Sequence, residues 1–329
     1  MKKIVAAVFL LFLIGATIWI VGFRGTSKLR VAEGAIFGTM YHIKYESPEA
    51  LDAEIEATLQ RVDESLSAFN PESTLSKIND GSSALTDEML HEVLSRSLEI
   101  SRSTSGAFDV TVMPLVNVWG FGFKKGEMPT PSEVDSICKF VGFELISLKG
   151  DSLVKKDSRV MIDCGAIAKG YGVDCVARML RKHGVRNYMI EIGGEVVTKG
   201  KNPTGEKWRI GVSKPIEGSD PWGGELQKVL ELTDRAVATS GNYRNFYVKD
   251  GHKYAHTIDP RTGMPVAHSL LSATVMAPDC ATADAYATAF MVMGIEEAKV
   301  LLAEHKELRV FFIYEDSEGK MREYDTISD

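Results

Sequence analysis

The chain has 329 residues, of which 44% are hydrophobic and 25% are charged. This composition excludes wholesale disorder, a collagen-like repeat and a polytopic membrane protein. Lysine and arginine number 38 against 45 aspartates and glutamates, so the formal net charge is −7. A general nucleic-acid binder needs a basic surface, so the acidic balance argues against that class.

The N-terminus carries an apolar segment that predicts a membrane anchor. Two lysines precede 20 uncharged residues, Ile4–Phe23, which is about the length that a helix needs to cross a bilayer core. The basic flank is expected to stay in the cytoplasm, which places residues 29–329 on the outer, periplasmic side of the cytoplasmic membrane. We favour an uncleaved anchor over residues 1–28, and a cleaved signal segment is the alternative.

Four cysteines, Cys138, Cys164, Cys175 and Cys280, allow two disulfides in three connectivities. No pair has the two-residue spacing of a zinc or redox site. Buried free thiols are the alternative, because a body of this length can fold without disulfide staples. The first cysteine lies far from the apolar segment, so lipid attachment beside that segment is excluded.

The first half of the body predicts a strand followed mainly by helices. The strand covers 29–46 and breaks at a Gly-Thr pair. Apolar residues at helical spacing predict helices over 50–66 and 86–103. Thr130-Pro131-Ser132-Glu133 is a capping box with proline in the first turn, so a third helix should begin there.

The second half predicts a block of strands between helices. The expected elements are a hairpin over 144–155, a strand over 159–163, a helix over 166–183, strands over 187–278, helices over 280–293 and 296–307 separated by Gly294, and two strands over 308–324. Helices and strands come in blocks, which favours an α+β fold over a doubly wound sheet. No Gly-x-Gly-x-x-Gly turn follows a strand, so a Rossmann-type dinucleotide site is not expected.

Two segments carry groups that suit a phosphate ligand. Asp163–Gly170 lies where a strand is expected to turn into a helix, and free N–H groups at a helix start attract phosphate. Asp284 and Thr288 lie four apart on a predicted helix, so their oxygens point the same way and suit Mg²⁺. A glycine-relieved turn and an ordinary helix cap are the structural alternatives.

Further segments combine polar groups or aromatic rings with glycines. His256–Gly263 is a strand end and turn whose histidine can accept a proton near neutral pH. Ala238–Tyr243 supplies hydroxyls at a strand-to-loop junction. Gly106–Thr111 and Trp119–Gly122 place rings beside glycines, which fits either core packing or a slot for a flat ring.

In chain order, these segments resemble the ApbE family of FAD:protein FMN transferases over nearly all of residues 29–329. The other matching stretches are Gly38–Tyr41, Ser67–Ser73 followed by Leu75, Ser76 and Asn79, Asp174, and Ile190–Glu195. Cys164 stands where the family usually has an aliphatic residue, and the lipidation cysteine of some members is absent. The resemblance implies an ApbE-like mixed helix and sheet body.

The resemblance also implies roles for individual residues. Asp284, Thr288 and the backbone carbonyl of Ala166 would hold Mg²⁺, and His256 would act with Asp284 in catalysis, as general base for the incoming hydroxyl. FAD would bind along a larger set, with the last three named as secondary contacts: Met40, Phe69, Ala107, Phe108, Asp109, Asp163, Lys169, Ile258, Thr239, Ser240 and Tyr243.

The implied reaction is Mg²⁺-dependent transfer of FMN from FAD to a threonine hydroxyl of another protein, with release of AMP. The expected acceptors are flavoprotein subunits of membrane complexes such as the sodium-pumping NADH:quinone reductase or the Rnf complex. Two alternatives stand beside it. An FAD pyrophosphatase would let water replace the threonine, and a non-catalytic exported flavin-binding protein would need the ring slot without the metal and base residues.

Overall fold

The computed structural model describes residues 12, 27–122, 128–216, 225–242, 246–249 and 252–328. Within them the helices are α1 (Asp52–Leu66), α2 (Thr74–Asn79), α3 (Glu88–Ser103), α4 (Met113–Val118), α5 (Pro131–Cys138), α6 (Ala168–Lys182) and α7 (Cys280–Glu304). The strands are β1 (Lys28–Ile36), β2 (Thr39–Ser47), β3 (Ile146–Lys149), β4 (Ser152–Lys155), β5 (Tyr188–Ile192), β6 (Glu195–Lys199), β7 (Trp208–Ser213), β8 (Leu226–Leu232), β9 (Arg235–Gly241), β10 (Phe246–Lys249), β11 (His252–Ala255), β12 (Ile258–Asp259), β13 (Met264–Pro265), β14 (Leu270–Ala277), β15 (Arg309–Glu315) and β16 (Met321–Asp325).

One antiparallel sheet of eight strands organises the fold, in the order β1-β2-β5-β6-β9-β14-β15-β16. The remaining strands form separate two-stranded hairpins. Helices and sheet together form a mixed fold, as expected. The β7–β8 hairpin is inserted between β6 and β9, which pair directly with each other.

The two faces of the large sheet are covered differently. On one face, Val310 and Phe312 of β15 belong to the main hydrophobic core together with Phe290 and other residues of α7. The neighbouring residues Phe311 and Ile313 belong to a smaller cluster with the β7–β8 hairpin. Successive side chains of a strand point to opposite faces, so α7 lies on one face and the hairpin on the other.

Local sequence signals predicted several helix ends and turns correctly. Thr130 and Glu133 form the predicted capping box at the start of α5. Gly294 interrupts α7 with a φ of 73°, so the 280–304 segment is two helical pieces meeting at the predicted glycine. The β3–β4 hairpin turns at Gly150 and Asp151, within the predicted 144–155 hairpin.

The predicted strand over 159–163 is wrong. The amide of Ile162 donates to Asn79 Oδ1 at 2.7 Å, and the Asn79 amide donates back to the Ile162 carbonyl at 2.8 Å. The amide of Asp163 donates to the Val110 carbonyl at 2.7 Å. An asparagine side chain and a loop carbonyl therefore satisfy this buried backbone, where a neighbouring strand was expected.

The predictions of a membrane anchor and of disulfides concern residues outside the large sheet. In the part of the chain that the structure describes, we find no helix with the length and apolar character needed to span a bilayer. The predicted anchor, Ile4–Phe23, lies outside the described residues except for Phe12. All four cysteines are free thiols, three of them buried.

Candidate active site

A cleft of about 2020 Å³ opens beside the start of α6. The β1–β2 turn, β6, β7, β9 and the first half of α7 also contribute to its lining. Ten residues predicted for the site line this one cleft, although they are spread over the chain: Met40, Asp163, Ala166, Lys169, Thr239, Ser240, His256, Ile258, Asp284 and Thr288.

Three further predicted residues line a small adjoining cavity of about 50 Å³: Ala107, Phe108 and Asp109. That cavity shares Asp163, Ala166, Ile258 and Thr288 with the large cleft. The Gly106–Thr111 segment therefore lies directly behind the cleft wall.

Two predicted residues stand apart from this set. Phe69 is 78% exposed and lines neither of the two cavities. Tyr243 lies outside the described residues. Of the aromatic pair near residue 120, Trp119 is buried and donates its indole N–H to the Gly263 carbonyl at 2.8 Å. Phe121 lines the cleft, so only one ring of the pair faces the cleft.

The centre of the cleft is a lysine between two buried carboxylates. Lys169 Nζ lies 2.8 Å from Glu195 Oε1 and 3.6 Å from Asp284 Oδ1. Asp284 Oδ2 accepts the backbone N–H of Gly170 at 3.1 Å, which ties α7 to the first turn of α6. Within the described residues Glu195 Oε2 is buried without a hydrogen-bond partner. Two carboxyl groups therefore share one ammonium at this centre.

Burial and mutual attraction shift the pKa values of this group. Burial opposes the charged form of Lys169, but the Asp284 and Glu195 carboxylates outweigh it and raise the pKa of the lysine. Burial raises the pKa of Glu195 above its ordinary value, with Asp284 adding to the rise and Lys169 opposing it. Lys169 therefore stays charged, whereas burial favours the protonated form of Glu195.

The oxygen atoms around Asp284 form a set of hard donors. Thr288 lies one turn further along α7, and its hydroxyl is 3.3 Å from the Ser240 hydroxyl of β9. Ala166 lines the same cleft from the segment before α6. The described residues contain no cluster of three or more histidine, cysteine, aspartate or glutamate side chains suited to a metal. A metal here would therefore need the hydroxyl and a backbone carbonyl beside the single carboxylate of Asp284, which is a set that suits Mg²⁺.

The two aspartates near the cleft wall accept hydrogen bonds from backbone amides. Asp109 accepts the amide and hydroxyl of Thr111 at 2.8 and 2.7 Å and the amide of Phe143 at 2.6 Å. Burial nevertheless raises its pKa to about 6. Asp163 accepts the amide of Gly165 at 2.8 Å, and burial raises its pKa as well. Both side chains shape the loops that line the cavities.

His256 lies half-buried in the cleft, just before β12. Its ring meets Phe121 edge to face at a centroid distance of 6.4 Å. The cleft therefore contains an imidazole as well as the charged centre, and an imidazole is the side chain best suited to proton transfer near neutral pH.

The start of α7 is anchored from behind the site. Asp174 of α6 accepts the amides of Cys280 and Ala281 at 3.0 and 2.9 Å. Asp279 caps the same helix by accepting the Thr282 amide at 2.9 Å and also pairs with Arg96 of α3. These bonds fix the helix that presents Asp284.

Close approach of two backbones completes the anchoring. At Gly170 a Cβ atom would clash with the carbonyl of Cys280, so only glycine lets α6 and α7 approach this closely. Gly170 thus serves the contact between the two helices.

Glu195 and Arg209 are among the cleft residues to which sequence reasoning assigned no role. Glu195 was visible as a charge at the start of an otherwise apolar strand, Glu195–Lys199, and such a charge near the core predicts a partner. Arg209 of β7 is exposed and lines the cleft. Its sequence neighbours gave no sign of that, because β7 reaches the cleft only through the placement of the whole hairpin.

Comparison with known proteins identifies the relatives of this fold. The sequence model described as the ApbE family matches residues 37–312. The FAD:protein FMN transferase of Vibrio cholerae is 39% identical over 303 residues, covering 88% of this chain and 89% of its own. That of Haemophilus influenzae is 34% identical over 336 residues, covering 97% and 95%.

A solved structure shows the same architecture. The structure of the flavin transferase ApbE from Vibrio cholerae superposes with a TM-score of 0.81 at 36% identity, covering 91% of this chain and 97% of the other. The chain therefore belongs to the ApbE family.

Proposed function

We propose that this member of the ApbE family is an FAD:protein FMN transferase that transfers FMN from FAD to a threonine hydroxyl of a target protein and releases AMP. The observation that carries the proposal is the convergence of His256, Lys169, Asp284 and Thr288 on one cleft in a chain of this family. The cleft volume of about 2020 Å³ also exceeds the roughly 300–1,000 Å³ of an ordinary small-ligand pocket, which suits a dinucleotide together with a protein segment.

The reaction exchanges one phosphorus–oxygen bond for another. The threonine oxygen attacks the phosphorus on the FMN side of the pyrophosphate, and the bond from that phosphorus to the bridging oxygen breaks. AMP leaves with the bridging oxygen, so no water and no ATP are consumed. Such transfers need positioning and charge stabilisation more than covalent chemistry by the protein.

The side chains of the cleft would have different roles in this reaction. His256 would accept the proton of the incoming hydroxyl on an imidazole nitrogen as the oxygen attacks. Lys169 stays charged and would lie beside the phosphates, where it offsets their negative charge. Asp163 and Ile258 line the wall shared by the two cavities, and with Met40 they would contact the flavin nucleotide.

The residues around Asp284 fit Mg²⁺. Its carboxylate, the hydroxyl of Thr288 and the carbonyl of Ala166 are hard oxygen donors, and the neighbouring Glu195 Oε2 has no hydrogen-bond partner among the described residues. We assign these three groups as the protein ligands. When bound, the ion would neutralise the pyrophosphate and the departing AMP.

The sequence extends the proposal to location and partners. We place residues 29–329 on the periplasmic side of the cytoplasmic membrane, held by Ile4–Phe23. The acceptors would be flavoprotein subunits of membrane complexes of the sodium-pumping NADH:quinone reductase or Rnf type. FAD stores its own driving force in the pyrophosphate, which suits a compartment poor in ATP.

The test is a transfer assay with the full-length chain in detergent. The chain is incubated with FAD, Mg²⁺ and the soluble domain of a sodium-pumping NADH:quinone reductase subunit that carries the acceptor threonine. Intact-mass spectrometry follows the acceptor while chromatography follows AMP. A mass gain equal to covalent FMN, with equimolar AMP and loss of both in EDTA, is expected.

The other outcomes separate the competing functions. AMP and free FMN without a mass gain, for two different acceptor domains, would identify an FAD pyrophosphatase. Binding of FAD without either product would identify a flavin-binding protein. An acceptor whose threonine is replaced by valine controls for non-covalent flavin.

A further inference from the structure

The strand β7 borders the cleft in an unusual way. Five consecutive residues, Arg209–Ser213, line the cleft. Side chains of a strand alternate between two faces, so a strand that showed one face to the cleft would contribute every second residue. Contribution of every residue in the run means that the cleft passes along the edge of β7.

No strand among the described residues pairs with this edge. β7 pairs with β8 only, from Trp208 opposite Leu232 to Ser213 opposite Leu226. In the part of the chain that the structure describes, the backbone of 209–213 makes no hydrogen bond outside that pair. In an antiparallel pair every second residue turns its N–H and C=O away from the partner. The cleft is therefore bordered by a row of backbone donors and acceptors that pair with no other described residue.

The core holds this edge in place. Val212 is buried in one hydrophobic cluster with Leu230 and Leu232 of β8 and with Val237 of β9, and Ile210 packs against that cluster. Trp208 donates its indole N–H to the Lys199 carbonyl at 3.0 Å. The edge is thus fixed to the large sheet rather than carried on a free hairpin, as a template for an added strand requires.

The outer face of β7 presents an exposed charge to a partner. Gly211 lies between Arg209 and Ser213 on that face, and the Leu226 side chain of β8 packs over it. The guanidinium of Arg209 is exposed, and no carboxylate of the described residues lies within ion-pair distance of it. An arginine left unpaired at the mouth of a cleft is complementary to an acidic side chain of a partner.

We propose that the edge of β7 receives an extended segment of the flavin-accepting protein as an added antiparallel or parallel strand, with Arg209 pairing with an acidic side chain of that segment. The proposal rests on the transferase function proposed above. Main-chain hydrogen bonds to β7 would set the register of the segment, and the register would decide which hydroxyl reaches His256 and the charged centre. The enzyme would then select a threonine by its position along a strand.

The first test reverses the charge of Arg209. Arg209→Glu is expected to raise KM for the acceptor domain of the transfer assay by about tenfold or more, because attraction to an acidic partner becomes repulsion. The Kd for FAD, measured by flavin fluorescence without acceptor, should change less than twofold, as should kcat. Arg102→Glu is the matched control, since Arg102 is exposed, makes no ion pair with the described residues and lies at the end of α3 away from the cleft lining.

The second test looks at the backbone directly. Hydrogen exchange of the full chain with FAD is compared with and without an acceptor domain whose target threonine is replaced by valine, so that no turnover occurs. Amides of 208–213 should gain protection, while those of the β3–β4 hairpin, which has no contact with the cleft, should not.

Each outcome bears on one claim. A raised Kd for FAD with unchanged acceptor KM in Arg209→Glu would assign the arginine to the nucleotide and remove it from docking. Unchanged exchange at 208–213 in an acceptor complex that still forms would overturn strand addition. Absence of transfer by the unaltered chain would instead count against the proposed function.

Discussion

The floor of the cleft and its β7 wall hold their charges in different ways. The floor, formed by Lys169, Glu195, Asp284 and Thr288, lies on α6, α7 and β6, and both of its carboxylates are buried and paired with the lysine. On the β7 wall, formed by Arg209–Ser213, the one charged side chain is exposed and unpaired among the described residues. The charged side chains of the floor thus already pair with one another, whereas the arginine of the wall can pair with a partner protein.

The buried charges of the floor have a cost in folding free energy. Burying charges costs more than their attraction returns unless the geometry is good, so a buried ion cluster is weak evidence for stability. The floor also leaves Glu195 Oε2 without a partner, which adds a cost. Retention of such a cluster at the bottom of a cleft is better explained by ligand and metal binding than by folding.

The largest effect on transfer is expected at the floor. Asp284→Asn should lower the transfer rate about 10³-fold, because the carboxylate that would hold Mg²⁺ beside the pyrophosphate is lost. The asparagine carbonyl can still accept the Gly170 amide, so the melting temperature should stay near that of the unaltered chain. Mass spectrometry of the acceptor measures the rate.

Asp284→Ala is the matched variant. It loses the carboxylate and also the acceptor of the Gly170 N–H, so it should lose both transfer and stability. Asp284→Asn that transferred FMN at the normal rate would mean that the metal assignment is wrong.

The floor also depends on the contact of two helices, which predicts the largest effect on stability. Gly170→Ala places a methyl group against the Cys280 carbonyl of α7, and overpacking against backbone should lower the free energy of unfolding by about 3 kcal/mol. Gly172→Ala on the same helix meets the ring edge of Phe37, a side chain that can shift, and Ile192 Cδ1 at 3.8 Å, and should change the free energy of unfolding by less than about 1 kcal/mol. Denaturant unfolding of both variants makes the comparison, and equal effects would contradict it.

The sequence predicted the elements of the floor better than their packing. Helical periodicity and end signals located α6 and α7, and the interruption at Gly294 was visible because glycine permits its positive φ. The pairing of Lys169 with Glu195 joins α6 to β6 and depends on how the sheet brings the two together. No local signal encodes such a distance.

The wrong strand over 159–163 has the same cause. Val160 and Ile162 are buried and alternate as strand residues do, but Asn79, more than 80 residues earlier, takes the hydrogen bonds of Ile162. The β7 wall was hidden for a related reason. Its strand character was predictable, whereas the exposure of one edge to the cleft follows only from the topology of the sheet.

Asp174, which accepts two backbone amides at the start of α7, predicts a dependence of stability on pH. Burial raises the pKa of Asp174 to about 6, with Asp279 adding to the rise, against about 3.9 in an unfolded chain. Between these pH values the folded state binds more protons than the unfolded state. The contribution of Asp174 is therefore full below about pH 4 and is lost as the pH rises through 6, by at most about 3 kcal/mol.

The difference between the unaltered chain and Asp174→Asn isolates this contribution. Their difference in free energy of unfolding should fall between pH 4 and pH 6 and then level off, because every other titrating group is common to both chains. Denaturant unfolding at four pH values measures it. A difference that is constant or rises over this interval would show that the charged carboxylate is the form favoured at the start of α7.

The smallest effect is expected where a residue lines the cleft without belonging to the floor. Met40 follows the β1–β2 turn, lines the cleft and is 38% exposed, so Met40→Ala removes only part of a side-chain contact from a bound nucleotide. The Kd for FAD should rise less than tenfold, which is about 1 kcal/mol for a half-buried methionine. The melting temperature should not change, because the shortened side chain leaves no buried cavity. Flavin fluorescence titration and thermal unfolding check both. A large loss of stability with FAD affinity intact would instead place Met40 in the core of the protein.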